Sequence, residues 1–506
     1  MASQWVTVRD AQEGDAALLR SWCAAGEMAI AGRRLVMPDV SDAQARWRGG
    51  LPDPRLLLLL ISLDGAPAGV VLIAPHADPA ARALGVAVLP DAARAETLPR
   101  MLRAACVQAA AHPGIKRLCV TLAVGDAVGE TVFQAAGFRA CGPGEMELAL
   151  PVPIPHNRLT HGEPESLAVA ETLASGRWAQ GPRVAALENA LCTAGGVAHA
   201  ACVASGVSAL RLALLALGVG PGARVIVPAY SCVALANAVL ACGAEPALAD
   251  VDPETWNISP ETLHRAMQAG PVAAIIAVNT FGAPAPIRAL RAVCDVPIVE
   301  DCAHAFGMIA ENAPLGARGD AAVLSFYATK LMGAGEGGAV LTSRRAIAER
   351  VAQWRDYGDQ PAQGGRLNDK MTDFEAALAL CQLDRLPRML AARQALAQRY
   401  AARLAPYAAS AGFVLPAMEA PRVWYRYVVG LRRQDARRII AAMHDAGVHA
   451  VHPVTDWRRP GDASCPNADA AYRSLISLPL YPTLTEPEQD RAAEAFLRAC
   501  VQAAGS

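Results

Sequence analysis

Long apolar runs and paired cysteines of the metal-binding kind are both missing from this sequence. The apolar run at residues 56–61 is far shorter than the roughly 20 residues that a membrane-spanning helix needs. The N-terminal stretch MASQWVTVRDAQEGD is polar and mixed in charge, unlike a secretory signal. The 13 cysteines are scattered, without a CxxC pair or zinc-ligand spacing. These absences predict a cytoplasmic protein with reduced thiols, no membrane partner and no metal site.

An excess of charge of one sign is also missing, because 46 basic residues stand against 47 acidic ones. The overall charge therefore gives no sign of a nucleic acid or an acidic membrane surface as a partner. Apolar residues make up 53% of the sequence and charged residues only 18%, which is typical of globular proteins. A chain of 506 residues is long enough for two or three domains.

Alternating prolines in LPVPIPHNRLTHGEPES mark the first predicted domain boundary. They favour an extended connector, which we place at residues 151–166. Before it, RLLLLLISLDGAPAGVVLIAP predicts two strands joined by an Asp64-Gly65 turn. A further strand, a helix and another strand follow. Residues 1–150 are therefore predicted to form a small α+β or α/β domain.

Beyond the linker, strand-like runs recur between helical stretches, and several are apolar throughout, as expected for strands covered on both faces. The runs are HAACVAS, RVIVPA, EPALADVD, VAAIIAVN, PIVEDCA, AAVLSFY and GAVLTS. The intervening helices favour an α/β fold with a mainly parallel, doubly wound sheet. Near residue 383 the pattern changes to long helices. We therefore predict a large domain at 167–385 and a smaller C-terminal domain at 386–506.

The stretch SFYATKLMGAGEGGAV places Lys330 just after an apolar strand and beside a glycine-rich turn. A lysine there is costly unless it has a partner or loses its charge, or unless its stem covers the sheet edge while the ammonium reaches water. Asp301 ends another apolar strand. Ligands of open parallel sheets bind outside the carboxyl ends of the strands. We therefore expect Lys330 and Asp301 to share one pocket.

An anion seat is predicted beside these two residues. Ser205 and Gly206 open a helix after the strand HAACVAS, and a helix N-terminus behind a glycine turn favours phosphate. Ser325 adds a hydroxyl. A phosphate seat, a buried carboxylate and a lysine are the set that pyridoxal 5'-phosphate needs, for its phosphate, its ring nitrogen and its aldehyde. The lysine would be both covalent anchor and acid–base group.

Residues from about 157 to 500 resemble the DegT/DnrJ/EryC1/StrS sugar aminotransferases, which have the pyridoxal phosphate fold type I. The resemblance implies a seven-stranded, mainly parallel sheet and a small C-terminal α/β domain. The matching stretches follow in the family's order. They are SGRWAQGPRVAALENAL, ASGVSALRLALLALGVGPGARVIVPAYSCVALANAVLACGAEPALADVDPETWNI, NTFGAPA, VEDCAHAFG, SFYATKLMGAGEGGAV, LNDKMTDFEAALALCQL and SLPLYPTLTEPE.

The resemblance also implies residue roles. Lys330 corresponds to the Schiff-base lysine, Asp301 to the partner of the pyridine nitrogen, and His304 to a residue near the cofactor's ring and 3'-oxygen. The phosphate contacts correspond to Gly206, Val207, Ser208, Ser325 and Asn368. The last of these resembles an asparagine that reaches the phosphate of the neighbouring subunit, which implies a homodimer with shared sites. A dehydratase branch has histidine in place of the lysine, so Lys330 favours amino transfer.

Two departures from the family pattern are visible. Cys232 stands where an aromatic residue usually stacks on the cofactor ring, and Tyr230 is the candidate to compensate. After Asn368 the family often has an aromatic residue and an arginine, whereas Asp369 and Lys370 stand here. We expect the first departure to alter how the cofactor packs without removing its binding.

Residues 1–150 resemble the GNAT acyltransferases in VTVRDAQEGDAALLRSW, LISLDGAPAGVVLI and GETVFQAAGF. The stretch corresponding to the acetyl-CoA loop, LPDAARAETLPRML, contains Arg94 but no glycine, and Glu96 adds a negative charge. Asp126 stands where an asparagine is usual. Two hypotheses remain: an N-acetyltransferase that uses acetyl-CoA, or a degenerate fold kept for packing, substrate capture or dimerisation. The missing glycines favour the second.

The sequence thus predicts a pyridoxal-phosphate-dependent aminotransferase. The expected donor is glutamate and the expected acceptor a keto-sugar, nucleotide-linked, in an antibiotic, lipopolysaccharide or other surface-glycan pathway. The alternatives are a bifunctional enzyme that also acetylates the amine, an acyltransferase with an aminotransferase-like scaffold, and a pyridoxal phosphate-fold protein without turnover. A non-sugar ketone is a further alternative for the acceptor.

Overall fold

The chain divides into two compact units in a computed structural model, Met1–Ile154 with Ala441–Val448, and Pro155–Ile440 with His449–Ser506. The structure describes residues 152–504 except 359–365 and 419–420. Before residue 152 it describes 6–10, 29–30, 33–34, 57–63, 66–75, 81–88, 98–110, 115, 117–121, 127–142 and 145–149. None of the helices in these ranges is long and apolar enough to cross a membrane.

The first unit contains a seven-stranded sheet with the order β1-β4-β5-β6-β7-β9-β8, in which only β6 and β7 pair in parallel. The strands of the first unit as a whole are β1 Val6–Asp10, β2 Ala29–Ile30, β3 Arg33–Arg34, β4 Leu57–Leu63, β5 Ala66–Pro75, β6 Ala81–Val88, β7 Arg117–Thr121, β8 Arg139–Gly142 and β9 Glu145–Ala149. Its helices are α1 Leu98–Ala110 and α2 Ala127–Ala135.

The predicted hairpin, third strand, helix and following strand of this unit all lie where the sequence places them. The Asp64-Gly65 turn lies outside the described residues, as do Arg94, Glu96 and Asp126. The resemblance of this unit to acyltransferases therefore stays a prediction.

The second unit contains the large sheet, with the order β10-β18-β17-β14-β13-β11-β12. The strands of the second unit as a whole are β10 His199–Val203, β11 Arg224–Pro228, β12 Glu245–Ala249, β13 Ala274–Val278, β14 Ile298–Asp301, β15 Ile309–Ala310, β16 Ala313–Pro314, β17 Ala321–Ser325, β18 Gly338–Thr342, β19 Phe413–Val414, β20 Tyr427–Leu431 and β21 Leu475–Leu478. Its helices are α3 Glu163–Ser175, α4 Pro182–Gly195, α5 Gly206–Ala216, α6 Ala234–Leu240, α7 Pro260–Met267, α8 Ile287–Arg291, α9 Arg345–Trp354, α10 Asp373–Leu404, α12 Pro466–Ser474 and α13 Glu486–Ala504. Helix α11 spans Ala436–Asp445.

The large sheet confirms the predicted α/β fold. Strands β12, β11, β13, β14 and β17 pair in parallel, and β18 joins β17 and β10 antiparallel. Two separate apolar clusters cover it, one around α5 and α6 and the other around α4 and α10. Cover on both faces explains why the strand sequences are apolar throughout. The carboxyl ends of the five parallel strands therefore meet at one edge of the sheet, which positions the candidate site.

Two element boundaries differ from the sequence expectation. Helix α3 begins at Glu163, inside the predicted linker at 151–166, with a proline in its first turn. Helix α10 begins at Asp373, where Thr372 and Glu375 form a capping box, and runs without a break through the predicted domain boundary at 385/386. The change of pattern near residue 383 therefore lies within one helix rather than at the start of another.

Candidate active site

Lys330 lies in the loop that joins β17 to β18. Its amide donates to the Tyr327 carbonyl at 2.8 Å, and two loop hydrogen bonds, from the Phe326 and Ala328 amides to the carbonyls of Gly337 and Gly335, hold the loop together at 2.9 and 3.0 Å. Gly335 and Gly337 have φ angles of 91° and 120°, which side chains rarely tolerate. The glycines beside Lys330 thus let the chain turn back into β18 directly after the lysine.

Asp301 is the last residue of β14 and pairs in register with Val323 of β17, the strand that leads to Lys330. Its carboxylate is buried and accepts a hydrogen bond from the Ala303 amide at 2.8 Å. Burial raises the pKa of Asp301, while the Ala303 amide and the charge of Lys330 oppose the rise. The structure therefore brings Asp301 and Lys330 together, as predicted.

His304 lies between two aromatic rings. The ring of Tyr425 stacks on it with a centroid distance of 4.4 Å, and Phe281 lies nearly parallel at 5.9 Å. Burial, and then the charges of Lys330 and Arg426, lower the pKa of His304 well below its usual value, so the imidazole is neutral. Because Tyr425 covers one face closely, His304 can reach a ligand through the ring edge.

The predicted anion seat is formed by the start of α5 and the end of β17. Ser205 caps the helix by accepting a hydrogen bond from the Ser208 amide at 3.0 Å. A Cβ added to Gly206 would lie 2.8 Å from the Ser325 Cβ, so the helix start and Ser325 adjoin closely. The first-turn amides, those of Gly206 and Val207 included, have no acceptor within the helix. This arrangement can receive an anion.

The hydroxyl of Ser208 is already engaged within the chain. It donates to Asp369 Oδ1 at 2.6 Å and lies 3.0 Å from the Ser205 hydroxyl, which donates to it. Asp369 also forms a buried ion pair with Arg211. The Ser208 amide is engaged as well, because it donates to the Ser205 hydroxyl, so a phosphate here would depend on the Gly206 and Val207 amides and on Ser325.

Cys232 and Tyr230 follow strand β11 at the same edge of the sheet. Cys232 is exposed. Tyr230 is 0% exposed and packs edge-on against Tyr472 and Phe281, so in this conformation it offers no surface to a ligand. The indole N–H of Trp457 donates to the carbonyl of Ser231, directly before Cys232, at 2.6 Å.

Asn368 is exposed, and it is followed by residues that are fixed to their own subunit. Asp369 pairs with Arg211, and Lys370 Nζ lies 2.7 Å from Asp356 Oδ1 and 4.2 Å from the centre of the Tyr357 ring. Because Asp369 also accepts a hydrogen bond from the Ser208 hydroxyl, Asn368 directly precedes a residue that contacts the anion seat, and its own side chain is exposed.

Sequence reasoning missed Tyr425 as a member of this site. It lies just before β20 and contacts both His304 and Lys330, far from either in the sequence. No local pattern in VWYRYVVGL distinguishes a site residue from an ordinary strand tyrosine. The sequence distinguishes Asp369 only as a departure from the family pattern, because Ser208, which it contacts, lies 161 residues away.

The donor set fits pyridoxal phosphate. The glycine at position 206 leaves room where a Cβ would meet Ser325, and the buried Asp301 carboxylate would be relieved by a cation such as a protonated pyridine nitrogen. Lys330 is partly exposed, and its charge acts on the Asp301 carboxylate.

Comparison with known proteins gives consistent matches. The profile of the DegT/DnrJ/EryC1/StrS aminotransferase family matches residues 160–497. DesV from S. venezuelae, solved in complex with a ketimine intermediate, is 30% identical with a TM-score of 0.61, covering 66% of this chain and 94% of its own. NtdA from Bacillus subtilis, solved with bound PMP, is 26% identical with a TM-score of 0.61, covering 67% of this chain and 81% of its own. A protein described as a sugar aminotransferase from Streptococcus pneumoniae, in its PMP form, is 25% identical with a TM-score of 0.65, covering 70% and 99%.

Proposed function

Because the chain belongs to the DegT/DnrJ/EryC1/StrS family and is a pyridoxal-phosphate-dependent aminotransferase, we propose that it moves an amino group from glutamate to a nucleotide-linked keto-sugar. The observation that carries this proposal is the buried Asp301 carboxylate at the end of β14, on which the charge of Lys330 in the loop after β17 acts. The sugar acceptor is supported by the Streptococcus pneumoniae relative described as a sugar aminotransferase. Family membership disfavours the alternative of a protein without turnover.

The cofactor, when bound, supplies a ring that accepts electrons as the α-proton of the amino donor leaves. In our proposal Lys330 holds the cofactor, and its amine, once free, moves the proton between carbon atoms. Asp301 keeps a positive charge on the pyridine nitrogen, and its burial strengthens that interaction. The neutral His304 contributes a hydrogen bond through its edge, and the α5 amides with Ser325 hold the phosphate.

A dicarboxylate donor fits the charges around the site. Arg426 lies 5.4 Å from the centre of the Tyr425 ring, and its Nε is buried without a hydrogen-bond partner in the described part of the chain. In the described part of the chain, the buried Arg393 donates to the backbone carbonyls of Trp424, Tyr425 and Leu480. The buried carboxylate beside Asp301, that of Glu300, is paired with Arg318, so Arg426, Arg393 and Lys330 outnumber Asp301, which favours an anionic substrate.

We also propose a homodimer with shared sites, located in the cytoplasm. In this dimer Asn368 reaches the phosphate of the partner subunit. The exposure of Asn368 and of the neighbouring Leu367 supports this role. An acetyltransferase activity of the first unit remains a separate hypothesis, because its acetyl-CoA loop lies outside the described residues. Binding of acetyl-CoA to the full chain, measured by calorimetry, would support that hypothesis.

The test is the absorbance spectrum of the purified protein before and after glutamate is added. We expect the band of lysine-linked pyridoxal phosphate to give way to that of pyridoxamine phosphate, and Lys330→Ala to lack the first band while keeping the same circular dichroism. A set of nucleotide-linked keto-sugars is then screened for return of the first band. Normal turnover by Lys330→Ala would refute the proposed role of this lysine. A band that returns only with non-sugar ketones would refute the sugar acceptor.

A further inference from the structure

Tyr425 contacts the two residues on which the proposed chemistry most depends. Its ring stacks on His304 at 4.4 Å, with 12° between the ring planes. The ammonium nitrogen of Lys330 lies over the same ring, 5.3 Å from its centre. The hydroxyl of Tyr425 is hydrogen-bonded to Thr329, the residue directly before Lys330. One side chain therefore contacts the catalytic lysine, the residue before it and the predicted cofactor-contacting histidine.

The backbone of Tyr425 is fixed from two directions. Arg393 donates to its carbonyl at 3.1 Å, and its own amide donates to the Val423 carbonyl at 2.8 Å. Val423 in turn lies against Gly282, where an added Cβ would be only 1.5 Å from the Val423 carbonyl oxygen. The close approach at Gly282, whose φ is 93°, is possible only for glycine. The ring of Tyr425 is thus held in place by contacts that do not involve Lys330.

Two cations lie near this ring. The guanidinium carbon of Arg426 lies 5.4 Å from the ring centre, and Lys330 Nζ lies at 5.3 Å. Burial alone would raise the pKa of Tyr425, but Lys330, Arg426, the Thr329 hydrogen bond and Arg393 bring it below its usual value. The electron-rich face of an aromatic ring attracts such cations.

We propose that Tyr425 is a positioning residue whose ring holds the free ammonium of Lys330 while the lysine is not linked to the cofactor. The inference rests on the role of Lys330 proposed above. Over an aminotransferase cycle the lysine leaves the cofactor in the first half-reaction and returns to it at the end of the second. Its flexible four-carbon stem has many rotamers, so a fixed ring beneath the ammonium shortens the search on the return. The same contact favours the charged form of the lysine over the neutral amine.

Several charged or polar groups face Lys330. They are the carboxylate of Asp301, the neutral His304, the Tyr425 phenol, and the guanidinium groups of Arg158, Arg393 and Arg426. Arg158 is paired with Glu488, and Arg393 is bonded to carbonyls. Of these groups, Tyr425 and Asp301 favour the ammonium, while the arginines oppose it.

The test measures how fast pyridoxal phosphate attaches to Lys330 in cofactor-free protein, as a function of pH. Tyr425→Phe keeps the ring and loses the hydroxyl, whereas Tyr425→Leu loses the ring. Since a cation–π contact of this kind changes an equilibrium by about twofold to thirtyfold, we expect Tyr425→Leu to move the half-maximal pH down by about 0.3 to 1.5 units. We also expect its rate at the high-pH plateau to fall. Tyr425→Phe should match the wild type in both respects.

Matched controls come from the same segment of the chain. Tyr427 is equally buried, stacks on Trp424 instead and does not contact Lys330 in the described structure. Tyr427→Phe and Tyr427→Leu should leave the pH profile unchanged. If Tyr425→Leu does not fold by circular dichroism, Tyr425→Met replaces it.

Two outcomes would overturn the inference. One is a pH profile of Tyr425→Leu equal to that of the wild type. The other is Tyr425→Phe behaving like Tyr425→Leu, which would transfer the effect to the hydroxyl and Thr329. Failure of the proposed function would look different, because the wild type itself would then form no lysine-linked band.

Discussion

The hydroxyl of Ser208 donates a hydrogen bond of 2.6 Å to Asp369, a residue 161 positions further along the chain. Asp369 is itself paired with the buried Arg211. The relay runs from Ser205 through Ser208 to this carboxylate, and it orients both hydroxyls of the helix start away from donating to an anion. The phosphate must then depend on backbone amides and on Ser325.

Ser208→Ala is therefore expected to change the Kd for pyridoxal phosphate by less than about twofold, because the lost hydroxyl serves Asp369 rather than the ligand. Ser325→Ala should weaken binding by roughly tenfold, the usual cost of a hydrogen bond to a charged group. Both constants can be measured by titrating the cofactor-free protein and following its fluorescence. A large loss for Ser208→Ala with no loss for Ser325→Ala would reverse the assignment.

Gly206→Ala should weaken cofactor binding because its Cβ would lie 2.8 Å from the Ser325 Cβ. The helix start or the end of β17 must shift, at a cost of about 1–3 kcal/mol. Gly220→Ala is the matched control, since its Cβ would meet nothing within 4 Å. Titration of both variants with pyridoxal phosphate measures the effect on the anion seat. Urea unfolding of the same variants measures the effect on the free energy of unfolding. Equal affinities for the two variants would contradict the expected close approach.

Asp369→Asn should destabilise the protein by about 3–5 kcal/mol, because it leaves the buried guanidinium of Arg211 without its anion. Asp356→Asn, which breaks the more exposed pair with Lys370, should cost less than about 1 kcal/mol. Urea unfolding of the cofactor-free proteins gives both values. Similar costs for the two variants would show that the Arg211 pair is not the stronger of the two.

Asp301→Asn is expected to raise the melting temperature of the cofactor-free protein near neutral pH, although it removes turnover. The folded-state pKa of Asp301 is raised above the ordinary value of 3.8, so the folded protein binds more protons than the unfolded chain. Stability is therefore lost as pH rises from the unfolded pKa through the folded pKa, and the variant escapes this loss. Below about pH 3.8 the two proteins should melt alike. Melting curves across pH test the sign directly.

Mixing two inactive variants tests the shared site. If Asn368 binds the phosphate in the site of the partner subunit, a homodimer of Lys330→Ala has no intact site, and neither does a homodimer of Asn368→Ala. A mixed dimer would retain one intact site, so an equal mixture that exchanges subunits should recover about a quarter of wild-type activity. No recovery, with exchange confirmed by mass, would place Asn368 in the site of its own chain.

The sequence anticipated the parts of this fold that follow from local pattern. The seven runs of the large sheet, the loop with Lys330 and the helix start at Gly206 are all defined by neighbouring residues, and the rule for carboxyl ends of parallel strands brings them together. The family resemblance added His304 and Asn368, and the roles of these two residues and of Asp301 remain proposals.

The remaining parts depend on contacts between distant segments. Nothing near Tyr425 shows that it stacks on His304, and nothing near Asp369 shows that it meets Ser208. Tyr230 lies near the site in sequence but is sealed by Tyr472, a residue from α12. The predicted boundary at 385/386 lies inside helix α10. A capping box at Thr372 fixes the start of this helix earlier than the change of pattern near residue 383 suggests.

The contact between Gly282 and Val423 has a consequence for the order of events during synthesis. The ribosome releases Lys330, Asp301 and the anion seat well before residue 423. At that stage the ring of Tyr425 is not yet present beside Lys330. The large sheet and Val423 belong to the same compact unit, and domains generally fold as units. The site with Tyr425 beside Lys330 therefore forms only after the segment around Val423 has been translated and has packed against Gly282.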